Sequence, residues 1–260
     1  MLETLARLGY ACKAFIYTII GTLAIAAALR RGGRITDTSG ALRVILIQPY
    51  GRALLLVLAV GLCGYAVWRI LDAIRDPDHH GTEFKGIVTR IGNVVRAGIY
   101  GGLGVESLRL FRGLRGSNGR EAQMWTARIL DIPFGPLIVG LLGAIVSVYG
   151  VSEIMSSFKG GYSRTFDVSP IPARLRATAE AISRFGIGAR GVVIVVLGVF
   201  LVRAAFQRDP GEAHGTRDSM LEVANAVDGP WLLAFIGAGF LAYAVDQAIH
   251  VWCRRIQPVT

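Results

Sequence analysis

The chain alternates between long apolar stretches and short polar segments. A helix needs roughly 20 apolar residues to cross a hydrocarbon layer of about 30 Å, and six stretches reach this length. Because open strands would leave backbone groups unpaired in lipid, the pattern predicts six transmembrane helices. The third is interrupted by Arg96, Glu106 and Arg109. The six predicted spans are Ala11–Leu29, Ala53–Ile74, Val94–Phe111, Pro136–Met155, Ile187–Phe206 and Trp231–Trp252.

Two independent patterns repeat along the chain. The odd-numbered spans begin with an Arg, a Gly, a basic residue and a second Gly at identical spacing. These residues are Arg7, Gly9, Lys13 and Gly21, then Arg90, Gly92, Arg96 and Gly104, then Arg184, Gly186, Arg190 and Gly198. In the even-numbered spans a Gly beside a Pro precedes a Tyr at one fixed distance: Gly51 and Tyr65, Gly135 and Tyr149, Gly229 and Tyr243. Agreement of both patterns predicts a triplicated two-helix unit, with repeats 5–75, 88–158 and 182–254.

Each unit also contains a short amphipathic segment between its two spans. The segments are Ser39–Gln48, Glu121–Ile132 and Asp218–Val227. In the first, Leu42, Ile45 and Leu46 share one face at helical spacing. The segments are too short to cross a membrane, so the pattern predicts one interfacial helix in each repeat. Polar linkers are predicted between the units, at Arg75–Lys85 and Lys159–Arg176.

Two crossings per unit make all three units point the same way. Parallel repeats indicate a pseudo-rotation axis along the membrane normal. The predicted fold is therefore an all-α integral membrane domain over residues 1–260. Its six transmembrane helices form three parallel two-helix repeats about a pseudo-threefold axis.

Composition supports a membrane protein and changes the meaning of its charge. Of the residues, 53% are hydrophobic and 18% charged, whereas soluble domains carry about a quarter charged residues. A net charge of +10 would suggest nucleic acid in a soluble chain. Here the basic residues flank apolar spans, so we expect anionic lipid headgroups as partners and no nucleic acid.

Several sequence motifs resemble one bacterial family. The motifs are the ARLGY start, the SGAL segment, the QPYGRALL turn and the GLCGYAVWRI run. Together they resemble the membrane-protein family catalogued as domain of unknown function 1206, over essentially the whole chain. The resemblance implies three two-helix units and brings no established activity, ligand or catalytic residue. We expect a multi-pass protein of the bacterial inner membrane, with both termini cytoplasmic because basic residues are slightly in excess on that side.

Lys13, Arg96 and Arg190 are equivalent basic residues in the first turns of the odd-numbered spans. Tyr17 and Tyr100 follow at a spacing that places them on the same helical face, and Ile194 holds that position in the third unit. Ionisable residues at membrane depth are costly. Either the three cations converge on the axis as an anion or lipid site, or each snorkels to the headgroups. In the second case the glycine row Gly21, Gly104 and Gly198 serves close helix packing.

Two acidic residues within predicted spans, each present in one unit only, are candidate functional positions. Glu106 has Arg109 as a candidate ion-pair partner on the next helical turn. Asp246 forms a polar patch with Gln247 and His250, which could relay protons or bind a partner.

The tyrosines Tyr65, Tyr149 and Tyr243 are predicted at helix–helix contacts, because a buried hydroxyl needs a hydrogen-bond partner. We predict no cofactor and no metal site, since no His or Cys cluster has ligand spacing. The sequence therefore favours a non-enzymatic scaffold or accessory subunit, with a membrane protein or a second copy as its partner. The alternative is a small transporter or binding protein for an anionic solute or lipid, acting through the ring of basic residues.

Overall fold

The computed structural model describes residues 2–29, 35–75, 84–114, 121–159, 172–213, 215–225 and 229–253. These residues are helical, with no strand among them. The six long helices are α1 (Leu2–Ala28), α3 (Gly51–Arg75), α4 (Phe84–Phe111), α6 (Gly135–Lys159), α7 (Ala173–Gln207) and α9 (Gly229–Cys253). The short helices are α2 (Thr38–Leu46), α5 (Glu121–Leu130) and α8 (Thr216–Ala224), and a 3₁₀ turn, Pro210–Glu212, follows α7. Both predicted linkers lie largely outside the described residues.

Local chemistry sets where several helices begin and end. Asp37 caps α2 by accepting a hydrogen bond from the Gly40 amide at 2.7 Å, which satisfies one of the free donors of the first turn. At the start of α3, a Cβ atom on Gly51 would collide with the carbonyl oxygen of Ile45. The chain can therefore turn sharply from α2 into α3 only with glycine at that position. Arg208 ends α7 in the left-handed region, at φ 53°.

Five of the long helices are long and apolar enough to cross a membrane: α1, α3, α6, α7 and α9. The protein is therefore a helical membrane protein. The sixth predicted span, α4, does not reach this hydropathy, and Arg96, Glu106 and Arg109 lie within it. These charged side chains lower the hydropathy of α4.

The closest helix packing joins neighbouring units. The second long helix of each unit packs along the first long helix of the next, as α3 on α4, α6 on α7, and α9 on α1. Within units, α1 packs on α3 and α7 packs on α9. Among the described residues, the backbones of α4 and α6, which belong to the second unit, do not pack in this way.

The repeat glycines of α1, α4 and α7 lie where these helices cross helices of a neighbouring unit. The pairs are Gly21 with Gly237, Gly104 with Ala59, and Gly198 with Gly143. In each pair, an added Cβ would stand 2.8 to 3.3 Å from the partner's carbonyl oxygen. Small residues therefore allow the three crossings to be close, as is common for helices that pack in lipid.

The short helices differ from simple interfacial helices. In α2, Leu42 and Ile45 are completely buried in the core formed by the long helices, and so is Met220 of α8. Trp125 of α5, in contrast, is 61% exposed. Leu42, Ile45 and Met220 are used against protein, so α2 and α8 cover one end of the bundle.

We expect Gly104→Val to destabilise the fold by about 1–3 kcal/mol, because overpacking forces neighbouring atoms to move. A Cβ there would stand 3.1 Å from the Cys63 amide nitrogen, with α3 backbone behind it. Gly102→Val is the matched control on the same helix, since no atom lies within 4 Å of its added Cβ. Denaturant unfolding in detergent micelles measures both variants. Equal stabilities would contradict the assigned packing of α3 on α4.

Candidate functional site

Polar side chains fill the centre of the bundle in the half that holds the start of α1. We call this cluster the central network. It comprises Lys13, Arg69, Asp72, Asn93, Arg96, Glu153 and Arg190, with the tyrosines Tyr10, Tyr65 and Tyr149.

Lys13 lies inside an aromatic enclosure. Its side chain is only 4% exposed, and its Nζ is 3.5 Å from the Tyr65 hydroxyl. The same Nζ lies 4.7 Å from the ring centre of Tyr100, 4.9 Å from Tyr65, 5.4 Å from Tyr10 and 5.9 Å from Tyr243. The negative faces of aromatic rings attract a cation at these distances. The ammonium group therefore lies inside the protein and is not directed at the lipid headgroups.

Arg69 connects three helices through its guanidinium group. Its Nε donates to the Tyr65 hydroxyl at 2.9 Å, and its Nη2 donates to the Tyr10 hydroxyl at 3.2 Å. Its Nη1 pairs with Asp72 at 3.2 Å and with Asn93 at 3.1 Å. Asn93 in turn donates to the same Asp72 oxygen at 2.9 Å. Such charge-assisted bonds fix both position and orientation.

Arg96 and Arg190 are joined through two residues of α6. Arg96 donates to the Tyr149 hydroxyl at 3.0 Å and to Asn93 at 3.2 Å. Tyr149 donates to one Glu153 oxygen at 2.8 Å, and Arg190 binds the other at 2.9 Å. Arg190 also lies over the ring of Tyr243, at 5.1 Å. The three equivalent basic residues of the repeats therefore belong to one connected cluster.

Sequence reasoning missed five members of this cluster: Tyr10, Arg69, Asp72, Asn93 and Glu153. A signal was present, because Arg69, Glu153 and Gln247 follow the repeat tyrosines at the same spacing. Tyr65 bonds to Arg69, and Tyr149 to Glu153, one helical turn away. The three residues differ in charge, which hides their equivalence from any search for repeated residue types.

The aromatic residues of the repeats have different surroundings. Tyr65 and Tyr243 are buried, whereas Tyr149 is half-buried. Tyr17 packs edge-on against Tyr243 at 4.8 Å and beside Phe240 at 5.7 Å. Tyr100 packs edge-on against Tyr65 at 5.2 Å. The tyrosines therefore form a nearly continuous aromatic layer around the cations.

Asp246 lies close to this layer, in the last third of α9. It is 1% exposed, and one of its oxygens accepts a hydrogen bond from Gln247 at 2.8 Å. The Nδ1 of His250 donates to the Asp246 carbonyl oxygen at 2.7 Å. The His250 ring also stacks on Tyr10, at 5.0 Å.

The second unit is open where the other two are closed. In the first and third units the repeat glycines Gly9 and Gly186 abut the backbone or Cβ of Tyr65 and Tyr243. The equivalent Gly92 has no atom within 4 Å of an added Cβ, and the same holds for Gly98 further along α4. The space between α4 and α6, which we call the lateral opening, is bridged by the Arg96–Tyr149 hydrogen bond.

A cavity of about 550 Å³ lies further along α4, towards its other end. Gly98 and Gly102 form part of its wall, with Trp125 and the beginnings of α2 and α8 around it. Glu106 lines this cavity and accepts a hydrogen bond from Ser39 at 2.8 Å. Arg109 lines it as well and is exposed. The structure thus places both in one cavity, and their ion pair stays a prediction.

Within the described ranges, no group of three or more His, Cys, Asp or Glu side chains is arranged to hold a metal ion. The chemistry available at the centre of the bundle is that of guanidinium, ammonium, phenol and carboxylate groups.

These features define a helical membrane protein with three internal repeats and a polar interior. The chain belongs to the family described as Domain of Unknown Function (DUF1206), which matches residues 8–76, 91–160 and 185–254. The family resemblance expected from the motifs is confirmed. The chain is also similar to the Uncharacterized protein YxxB of Bacillus subtilis (strain 168), with 31% identity over 244 residues, covering 94% of this chain and 88% of the relative. No solved structure matches the chain.

We expect Arg69→Gln to destabilise the protein by about 3–5 kcal/mol, because removing one partner of a buried ion pair exposes the other to its full desolvation penalty. In this variant Asp72 is the buried carboxylate that is left without its cation. The double variant Arg69→Gln with Asp72→Asn should recover part of the loss. Unfolding of the four proteins in one detergent gives the coupling free energy, expected at about 1–3 kcal/mol. Strict additivity would show that the pair does not interact.

Proposed function

We propose that the protein binds an anionic phospholipid, whose headgroup reaches Arg96 and Arg190 through the lateral opening. The observation that carries this proposal is the joining of those two guanidinium groups through Tyr149 and Glu153 at the opened side of the bundle. An opening in the plane of the membrane faces lipid, which makes a lipid the natural ligand.

The chemistry of the two arginines suits a phosphate group. A planar guanidinium forms paired, charge-assisted hydrogen bonds with phosphate oxygens. Without a ligand, Arg190 pairs with the Glu153 carboxylate, and Arg96 donates to the Tyr149 hydroxyl. An entering phosphate would take over both donors and leave Glu153 bonded to Tyr149. The network thus holds the site ready without leaving a buried cation unpaired.

The outer face of α4, next to the lateral opening, suits an acyl chain. Gly98 and Gly102 leave this surface flat and open, and both lack any atom within 4 Å of an added Cβ. Ile99 and Val105 beside them are exposed apolar side chains, at 57% and 48%. From Gly98 to Glu106 this surface extends about 12 Å by helical rise, enough for part of one acyl chain.

The proposal includes the finer architecture expected from the sequence. All six long helices, α4 among them, would cross a bacterial inner membrane as three two-helix units about a pseudo-threefold axis. The equivalent glycine crossings between units support this arrangement. With both termini cytoplasmic, the central network lies in the cytoplasmic half, where anionic lipid headgroups are concentrated.

A second candidate function, a scaffold for another membrane protein or a second copy, is favoured by α6. Its outer face exposes Leu137, Leu141 and Val148 at 71%, 62% and 68%. Lipid tails would cover these side chains equally well. A scaffold contact on α6 also gives no role to Arg96 and Arg190. We therefore place the scaffold second.

The decisive variant is Arg96→Gln with Arg190→Gln. We expect at least a tenfold loss of anionic phospholipid, such as phosphatidylglycerol, retained by the purified protein, because each change removes charge-assisted bonds to phosphate. Native mass spectrometry from mixed-lipid nanodiscs counts the bound lipids. Arg203→Gln is the control, since Arg203 pairs with Glu212 outside the network. Unchanged lipid retention in the double variant, or an equal loss in the control, would contradict the site.

Blocking the lateral opening gives an independent prediction. Gly92→Trp should fill the space between α4 and α6 and reduce lipid retention several-fold, while Gly92→Ala should leave it unchanged. Both variants keep Arg96 and Arg190, so a loss confined to the Trp variant identifies the opening as the lipid's route. Two results together would favour the scaffold. The protein would capture another membrane protein through α6, and neither the arginine double variant nor the glycine variants would change lipid retention.

A further inference from the structure

Asp246 and Gln247 leave two neighbouring oxygens without hydrogen bonds. The carboxylate of Asp246 is 1% exposed and Gln247 is 3% exposed. The Gln247 Nε2 donates to Asp246 Oδ2 at 2.8 Å. Within the part of the chain that the structure describes, neither Asp246 Oδ1 nor Gln247 Oε1 has a hydrogen-bond partner. Both atoms are acceptors, so the pair lacks one donor.

The other buried carboxylates of this region are matched by cations. Asp72 receives hydrogen bonds from Arg69 and Asn93 on one oxygen. Glu153 accepts a hydrogen bond from Tyr149 on one oxygen and from Arg190 on the other. Asp246 has only the neutral Gln247 amide and His250, whose Nδ1 is 3.6 Å from Oδ2. An ionised carboxylate buried without a hydrogen-bonded cation is costly, most of all at membrane depth.

We propose that Asp246 is a proton-binding site, held as a neutral carboxylic acid that forms a paired hydrogen bond with the Gln247 amide. One proton on Oδ1 supplies the missing donor and can bond to Gln247 Oε1, while Gln247 Nε2 continues to donate to Oδ2. The proton therefore satisfies both unpartnered oxygens at once and removes a buried charge. Proton binding leaves the aspartate neutral, and proton release leaves a carboxylate.

The groups around Asp246 come from each helix packed near it. Lys13 of α1 and Glu153 of α6 are charged groups within Coulombic range of Asp246. Arg190 of α7 is engaged with Glu153 and Tyr243. On α9 itself, His250 lies in the last turn with 14% of its side chain exposed. His250 therefore connects Asp246 to the aqueous side and is the natural route for proton exchange.

The site also has a regulatory consequence, which rests on the proposed lipid function. An anionic headgroup at Arg96 and Arg190 adds negative charge near Asp246 and favours proton uptake there. Because coupling between two binding sites is reciprocal, a lower pH should tighten binding of the anionic lipid. Lipid binding and proton uptake would then occur together.

Infrared difference spectroscopy tests the proton site on the full-length protein in nanodiscs of phosphatidylcholine alone. Between acidic and alkaline pH, we expect the carbonyl-stretch band of a buried protonated carboxyl. The band should vanish in Asp246→Asn and shift, without vanishing, in Asp246→Glu, which also controls for folding. Glu153→Gln is the matched control and should retain the band, since Glu153 has a donor on each oxygen. A band missing from the wild type, or surviving Asp246→Asn, overturns the proton site.

A second measurement separates this inference from the lipid proposal. Phosphatidylglycerol added to weakly buffered protein should cause proton uptake in the wild type and none in Asp246→Asn. If the infrared band behaves as expected but no lipid binds, the proton site stands and the lipid function fails. If lipid binds without proton uptake by the wild type, the coupling is overturned.

Discussion

Burying positive charge inside a membrane bundle is the constraint on which the rest of this structure depends. Lys13, Arg69, Arg96 and Arg190 lie at depths where water cannot solvate them fully, so every donor must find a partner within the protein. The repeat tyrosines supply hydroxyls and ring faces, and Asp72 and Glu153 supply negative charge. The close glycine crossings between units bring these groups within reach of one another. Packing and electrostatics therefore stabilise the same arrangement.

Departures from the repeat carry most of the specific chemistry. Four residues after the repeat tyrosines stand Arg69, Glu153 and Gln247, which are a cation, an anion and an amide. A strictly repeated charged residue there would place like charges close together, which is unfavourable at short range. The mixed set neutralises the centre. It also makes the units unequal, and in the second unit α4 and α6 do not pack against each other.

Much of the fold could be predicted from the sequence, because apolar length and spacing report directly on helices in lipid. The two repeat patterns placed the six long helices and their glycines, and Lys13, Arg96 and Arg190 stood out as costly residues. Their partners could not be predicted, since Asn93 and Arg69 meet only after α3 and α4 pack. Nor could the lateral opening, because Gly92 reads in the sequence as an equivalent of Gly9 and Gly186. The short helices were predicted to lie in the interface, whereas Leu42 and Ile45 of α2 and Met220 of α8 are buried against protein, a choice that hydrophobic periodicity alone does not decide.

The pairing of the first long helix with the last has a consequence for biogenesis. Helix α1 packs on α9 through Gly21 and Gly237, which are far apart along the chain. During synthesis, α1 enters the bilayer with this surface unmatched and with Lys13 lacking Tyr65 and Tyr100, which are translated later. The pairing of α1 with α9 forms only when the ribosome has delivered the final helix. Nascent chains that stop before α9 therefore lack Tyr243 beside Lys13 and leave the Gly21 surface of α1 unmatched, a state that membrane quality control can recognise.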